Sequence, residues 1–219
     1  MYWQEEIDDQ HYLVPERVVD LSFQIDCPTL PVDHAWVLSQ EIKRILHWFG
    51  DDPLEGLHII HGADSGNGWE RPQGADDLLH LSRRVKLTLR LPRKNVEQAR
   101  ELTGKILQPG GQQMQIGAAK VRTLSTTNFL YARYLAGPEQ TTEEQFMEWA
   151  AAELKAQQIV FKKILCGKTC YLSRPDGPLE TRSLLVANLS FPDAVKLQES
   201  GIGPWRSIGC GLFIPQKSF

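Results

Sequence analysis

The sequence predicts an α+β protein made of two tandem ferredoxin-like (RRM-like) β-α-β-β-α-β units, with a glycine-rich loop near the C-terminus. Three observations carry this expectation. Short runs alternate apolar and polar residues with the period of a half-buried strand. Stripes with helical spacing fall between those runs. The same order of segments then occurs twice within 219 residues. That length suits one large domain or two small ones, with enough chain to bury a core. The expected division is 1–116 and 117–219.

In the first unit, Arg17 to Cys27 places Val19, Leu21, Phe23 and Ile25 on one parity. Pro28 and Pro31 interrupt the strand, and Asp33 is placed to cap a helix whose stripe is Val37, Leu38, Ile42, Ile45 and Leu46. Gly50 and Pro53 stop that helix. Leu57 to Ile60 reads as a short strand, and His61 to Asp77 as a polar, glycine-rich loop. Ser82 to Leu91 alternates through Val85, Leu87, Leu89 and Leu91. Val96 to Leu107 reads as a second helix closed by Gly110-Gly111, and Gln113 to Ile116 as the last strand.

In the second unit, Lys120 to Leu135 contains strand-like alternation. Thr142 to Gln158 is a helix with a capping signal at Thr141 or Thr142 and Phe146, Trp149, Ala150 and Leu154 facing a core. Ile164–Ser173 and Arg182–Leu189 form a hairpin around Arg174-Pro175-Asp176-Gly177-Pro178. Pro192 opens a short helix, Phe191 to Ser200, and Leu212 to Pro215 is the last strand. Between them Gly201-Ile202-Gly203 and Gly209-Cys210-Gly211 flank Pro204 to Ile208. Glycines at this spacing suit either a loop whose amides face a ligand, or a helix C-cap followed by a turn. A Walker or Rossmann loop needs a strand before it and a helix after it. Here the order is reversed and no GK[ST] follows, which makes nucleotide hydrolysis and dinucleotide binding poor candidates.

Composition narrows the class. Apolar content of 42% and charged content of 23% are those of a soluble globular protein. No run nears the roughly 18 to 20 apolar residues of a membrane span. Met1 to Gln10 is acidic without an apolar segment, so no signal peptide is expected. Cys27, Cys166, Cys170 and Cys210 form no CxxC pair, which suits reduced thiols in a cytoplasm. The net charge of −3 hides an asymmetry: residues 1–60 hold twelve acidic and three basic residues. Between Ser82 and Arg133, eleven Lys or Arg face only Glu97 and Glu101. Such clustering is a footprint for a polyanion, as it is for solvated sheet and helix faces. Arg84, Lys86 and Arg90 share one parity of their strand, with Arg83 opposite. Tyr131 and Arg133 form a second cluster with Lys120 and Arg122. The histidines lack HxxxH or HExxH spacing, and a strand turns His58 and His61 to opposite faces, so no metal site is expected.

The tandem halves, the late GhGxxxxxGhG loop and the basic middle resemble the CRISPR repeat-processing endoribonucleases of the Cas-six family, a branch of the repeat-associated RNA-binding superfamily. The resemblance runs from Val19 to Phe213. It looks closest to a compact subgroup through Cys27-Pro28-Thr29-Leu30-Pro31-Val32-Asp33-His34, through Ile60-His61-Gly62-Ala63-Asp64-Ser65-Gly66-Asn67-Gly68-Trp69, and through Leu81-Ser82-Arg83-Arg84. It implies one cut per CRISPR repeat in precursor RNA, without metal or cofactor, by attack of a ribose 2′-oxygen on the adjacent phosphate. The products are a 2′,3′-cyclic phosphate and a 5′-hydroxyl, and the outcome is guide crRNA. A histidine suits this proton transfer because its ordinary pKa, about 6.5, lies near working pH. The resemblance makes His34, in the first turn of the first helix, the first catalytic candidate, with His61 and His47 next. RNA contacts are expected from Arg71, Arg83, Arg84, Lys86, Arg90, Arg206 and the loop glycines Gly201, Gly203, Gly209 and Gly211. Trp205 is expected to pin the loop. Partners would be repeat RNA and other CRISPR effector subunits, with the chain a monomer or homodimer. The competing functions are a non-catalytic RNA-binding effector subunit and a ferredoxin-like protein that binds a small molecule or protein.

Overall fold

In a computed structural model, which describes residues 12–62 and 77–216, the first alternating segment forms β1 (Val18–Asp26), whose Val19, Leu21 and Phe23 enter the core. After β2 (Thr29–Pro31), the striped segment forms α1 (Ala35–Ile45), burying Ala35, Leu38 and Ile42. His34, not Asp33, is the N-cap residue, and no side chain caps the helix. Asp33 instead accepts a hydrogen bond from the Ser173 amide at 2.8 Å, so it ties the start of the helix to the other half of the chain. β3 (Gly56–His58) and β5 (Lys86–Pro92) join β1, while β4 (Leu78–His80) pairs with β2.

The second helix is much shorter than its apolar spacing predicts. Only α2 (Val96–Ala99) is α-helical, with 3₁₀ turns at Arg93–Asn95 and Arg100–Leu102. Its buried residues, Val96, Ala99 and Leu102, are three apart, which fits the tighter turn. Thr103 is extended and Gly104 takes φ +80°, which frees β6 (Ile106–Leu107) to pair with β7 (Met114–Arg122). The five strands are ordered β3-β5-β1-β7-β6, all antiparallel. The expected boundary at 116/117 falls inside β7, which stays hydrogen-bonded to β1 as far as Arg122.

The second half follows its sequence pattern closely. β8 (Phe129–Leu135), α3 (Glu143–Ala156), β9 (Lys163–Leu172), β10 (Leu179–Ala187), α4 (Phe191–Ser200) and β11 (Ile214–Pro215) appear in that order. Thr142 starts α3 with a capping box: its hydroxyl accepts from the Gln145 amide at 3.2 Å, and the Gln145 side chain accepts from the Thr142 amide at 2.9 Å. Ser190 caps α4 by accepting from the Asp193 amide. The sheet order is β11-β8-β10-β9, again antiparallel. Leu130, Ala132, Leu184 and Val186 pack on one face of it against Phe146, Ala150 and Leu154 of α3 and Ala194 and Leu197 of α4.

The protein is thus a mixed α+β fold with two main antiparallel sheets. A third apolar cluster welds the halves: Ala35, Trp36 and Ile59 meet Tyr134, Leu172 and Leu179, with Ile208 and Cys210 of the glycine-rich loop between them. Among the described residues no helix is long and apolar enough to cross a membrane.

Candidate functional site

The face of the first sheet turned away from its helices is polar. Strand register sets Asp20 opposite Arg90 and Arg122, Ser22 opposite Thr88 and Lys120, and Gln24 opposite Lys86. The basic strip expected along β5 divides here. Arg83 and Arg84 are exposed in the turn before the strand, and Lys86 is half-buried at its start. Lys120 and Arg122 on β7 are exposed on the same side as Lys86. Cross-strand register is what joins these three cations, and a single strand's parity cannot reveal it.

Arg90 does something else. Its side chain is 1% exposed, with Nε donating to Asp20 Oδ1 at 2.8 Å and Nη2 to Oδ2 at 3.0 Å. Nη1 donates to the carbonyls of Gln198 and Phe213, each at 2.9 Å. His58 Nε2 lies 3.2 Å from Asp20 Oδ1. Burial alone would raise the Asp20 carboxyl, but the Arg90 charge, with the hydrogen bonds from His58 and Arg90, outweighs it and holds the group well below the ordinary carboxylate range. Arg90 thus pairs with Asp20 within the first sheet and reaches the second half through Nη1, so this residue, expected to contact RNA, is engaged inside the fold.

Arg206 is engaged inside the fold as well. It is buried, its Nη2 donating to the carbonyls of Glu199 (2.9 Å) and Leu54 (3.3 Å) and its Nη1 to that of Gly211 (3.3 Å). Burial, with the nearby Arg90 charge adding to it, pushes its guanidinium down to about 9, still cationic at neutral pH. The loop glycines have an equally internal reason. Gly201, Gly203, Gly209 and Gly211 all take positive φ. At Gly209 (φ +95°) a β-carbon would collide with the Ile59 side chain and sit 2.9 Å from the Leu57 carbonyl oxygen of β3. Gly201, Gly209 and Gly211 are buried, so the loop is first a close-packed connector between the sheets. Trp205, expected to be the pin, is instead 39% exposed.

The three candidate histidines occupy different environments. His34 is 1% exposed. Its Nδ1 is 2.8 Å from the Pro31 carbonyl, which only accepts, and its Nε2 receives the Ile60 amide proton at 3.1 Å. That is the neutral Nδ1–H tautomer with its lone pair already used, a brace between β2, α1 and the end of β3. This first catalytic candidate is therefore buried, with both ring nitrogens engaged inside the fold. His47 is exposed in the turns beyond α1. His61 is half-buried and stacks on Tyr134 of β8, with centroids 6.1 Å apart and planes at 26°, so it stands on the seam between halves. It also leads into residues 63–76, which carry Ser65, Asn67, Trp69 and Arg71 and lie outside the described residues. The partnership with Tyr134 had no local signal, since the two are brought together only by docking of the second sheet.

Known proteins resemble this chain in sequence and in fold. A family model described as Cas6 Crispr matches residues 19–218. The CRISPR-associated endonuclease Cas6 of Myxococcus xanthus (strain DK1622) is 25% identical over 197 residues, covering 90% of this chain and 81% of that protein. Among solved structures, a CRISPR associated protein Cas6 superposes with a TM-score of 0.67 at 12% identity, over 91% of this chain and 100% of the other. The product of a Cas6-related gene from Pyrococcus furiosus gives 0.53 at 12% identity, over 90% and 97%. The matched region takes in both sheets, the welded seam and the glycine-rich loop, and the chain belongs to the Cas6 family of CRISPR-associated proteins.

Proposed function

We propose that this Cas6-family protein binds CRISPR repeat RNA and cuts it within each repeat to release guide crRNA, by metal-independent attack of a ribose 2′-hydroxyl on the neighbouring phosphate. The family match over residues 19–218 carries the reading. The strand orders β3-β5-β1-β7 and β11-β8-β10-β9 support two ferredoxin-like units, with the chain crossing between them in residues 123–128. His61 at the seam is the proton-transfer residue we assign, taking the 2′-hydroxyl proton or supplying one to the departing 5′-oxygen. Lys86, Lys120, Arg122, Arg83 and Arg84 offer charge for the RNA backbone along the open sheet face and its rim. Arg71 belongs to the same proposal.

The test is incubation of cognate repeat RNA in EDTA. One cut per repeat with a 2′,3′-cyclic phosphate end is expected. A 2′-deoxy nucleotide before the scissile phosphate should abolish it, and His61→Ala should slow it by about 10²- to 10⁴-fold. Wild-type rates in His61→Ala would move the assignment to His47. RNA held tightly but left intact would favour a non-catalytic binding subunit, and no binding at low salt would end both readings.

A further inference from the structure

The exposed indole of Trp205 sits on a cavity beside the seam, away from the basic face of the first sheet. The cavity, of about 270 Å³, lies between the start of the glycine-rich loop, the β8–α3 connection and the β9–β10 hairpin. Arg174, at the hairpin turn, places its guanidinium carbon 4.5 Å from the Trp205 ring centroid. Tyr171 of β9, 56% exposed, lines the same space. Two cations, Arg174 and Arg182, are balanced there by Glu139 and Glu180.

The backbone at this point is unusual for its side chains. Among the described residues four non-glycines take positive φ, and two of them, Gln140 (φ 55°) and Trp205 (φ 69°), line this cavity. The loop uses glycine at its other left-handed positions, yet holds its largest side chain in a conformation that bulky residues rarely adopt. Hydrogen bonds from the Ile208 and Cys210 amides to the Trp205 carbonyl hold that conformation. Strain retained around an outward-facing aromatic, with a second aromatic and a guanidinium beside it, is the arrangement of a stacking platform.

We propose that this pocket receives one unpaired base of the bound RNA, packed against Trp205. The inference rests on the RNA-binding reading above. Balanced charge selects the occupant: a phosphate would meet two carboxylates, whereas a base is a neutral plate whose edge carries donors and acceptors for Glu139, Glu180 and Arg182.

In Trp205→Gly the backbone accepts φ 69° without strain, which offsets part of the packing lost with the half-buried indole, and the thermal midpoint would show that the variant is folded at the assay temperature. Fluorescence anisotropy would follow cognate repeat RNA made uncleavable by a 2′-deoxy nucleotide at the mapped cut site. Loss of one stack should weaken binding by about 5- to 150-fold in Trp205→Gly, with Trp205→Phe staying close to wild type. Single abasic substitutions along the repeat would then locate the base: at one unpaired position the abasic RNA should bind wild type as weakly as normal RNA binds Trp205→Gly, with no further loss when both changes are combined. Trp205→Gly binding within twofold of wild type overturns the proposal and leaves the nuclease reading intact, as does the lack of any such position. Failure of the wild-type protein to bind the repeat overturns both.

Discussion

Replacing Arg90 by methionine tests whether this cation is an inter-unit brace. The substitution keeps an apolar stem but removes two hydrogen bonds to Asp20 and two to the Gln198 and Phe213 carbonyls. Removing one partner of a buried ion pair costs about 3–5 kcal/mol, mostly through the charge left behind. Arg90 is 1% exposed but Asp20 is 19% exposed, so water recovers part of the Asp20 solvation and the lower end applies. A loss of about 3 kcal/mol corresponds to roughly 6–12 °C in thermal midpoint for a chain of this size. Urea unfolding at pH 7, followed by far-UV circular dichroism and tryptophan fluorescence, would measure it. Asp20→Asn combined with Arg90→Met should recover part of the loss, because the orphaned charge is gone. The reasoning fails if Arg90→Met melts within 2 °C (about 1 kcal/mol) of wild type, or if the double variant is no more stable than the single one.

The other expectations concern the same joints. His34→Ala strands the Pro31 carbonyl and the Ile60 amide, so a loss of about 2–4 kcal/mol in urea unfolding is expected, with cleavage well below its melting point near wild type. A loss of cleavage above 100-fold in the folded variant, a factor worth about 2.7 kcal/mol of barrier, would restore His34 as catalytic. Gly209→Ala should cost more than Gly104→Ala: both residues have positive φ, but a β-carbon at Gly104 meets nothing within 4 Å while one at Gly209 meets β3. Equal melting temperatures would show that the loop is not packed as described. Because the folded Asp20 carboxyl is held below its unfolded value of about 3.9, its stabilisation is present above that pH and is lost as pH falls further. Wild type should therefore lose more thermal stability than Asp20→Asn between pH 5 and pH 3, and parallel losses would contradict the ion-pair assignment.

What was legible in the chain is what neighbours in sequence decide. Alternation at Val19, Leu21 and Phe23 gave β1, and the Thr142–Gln145 capping box gave the start of α3, because strand parity and helix capping are satisfied within a few residues. The Val96–Leu107 stripe misled in part, since a three-residue spacing fits a 3₁₀ turn as well as an α-helix and the pairing of β6 with β7 decided the matter. The site is less legible in the chain. Arg84, Lys86 and Arg90 look alike along a strand, yet Arg90 is buried because α4 and the segment before β11 close over that end of the sheet. Likewise Arg206 and Trp205 are adjacent in a loop of similar local chemistry, and one is buried while the other faces a cavity. Composition and periodicity determined the α+β class and most of the element order. Docking of the two sheets decided which cations brace the fold, which histidine reaches the seam and which aromatic stays exposed, because burial depends on contacts between residues far apart in the chain.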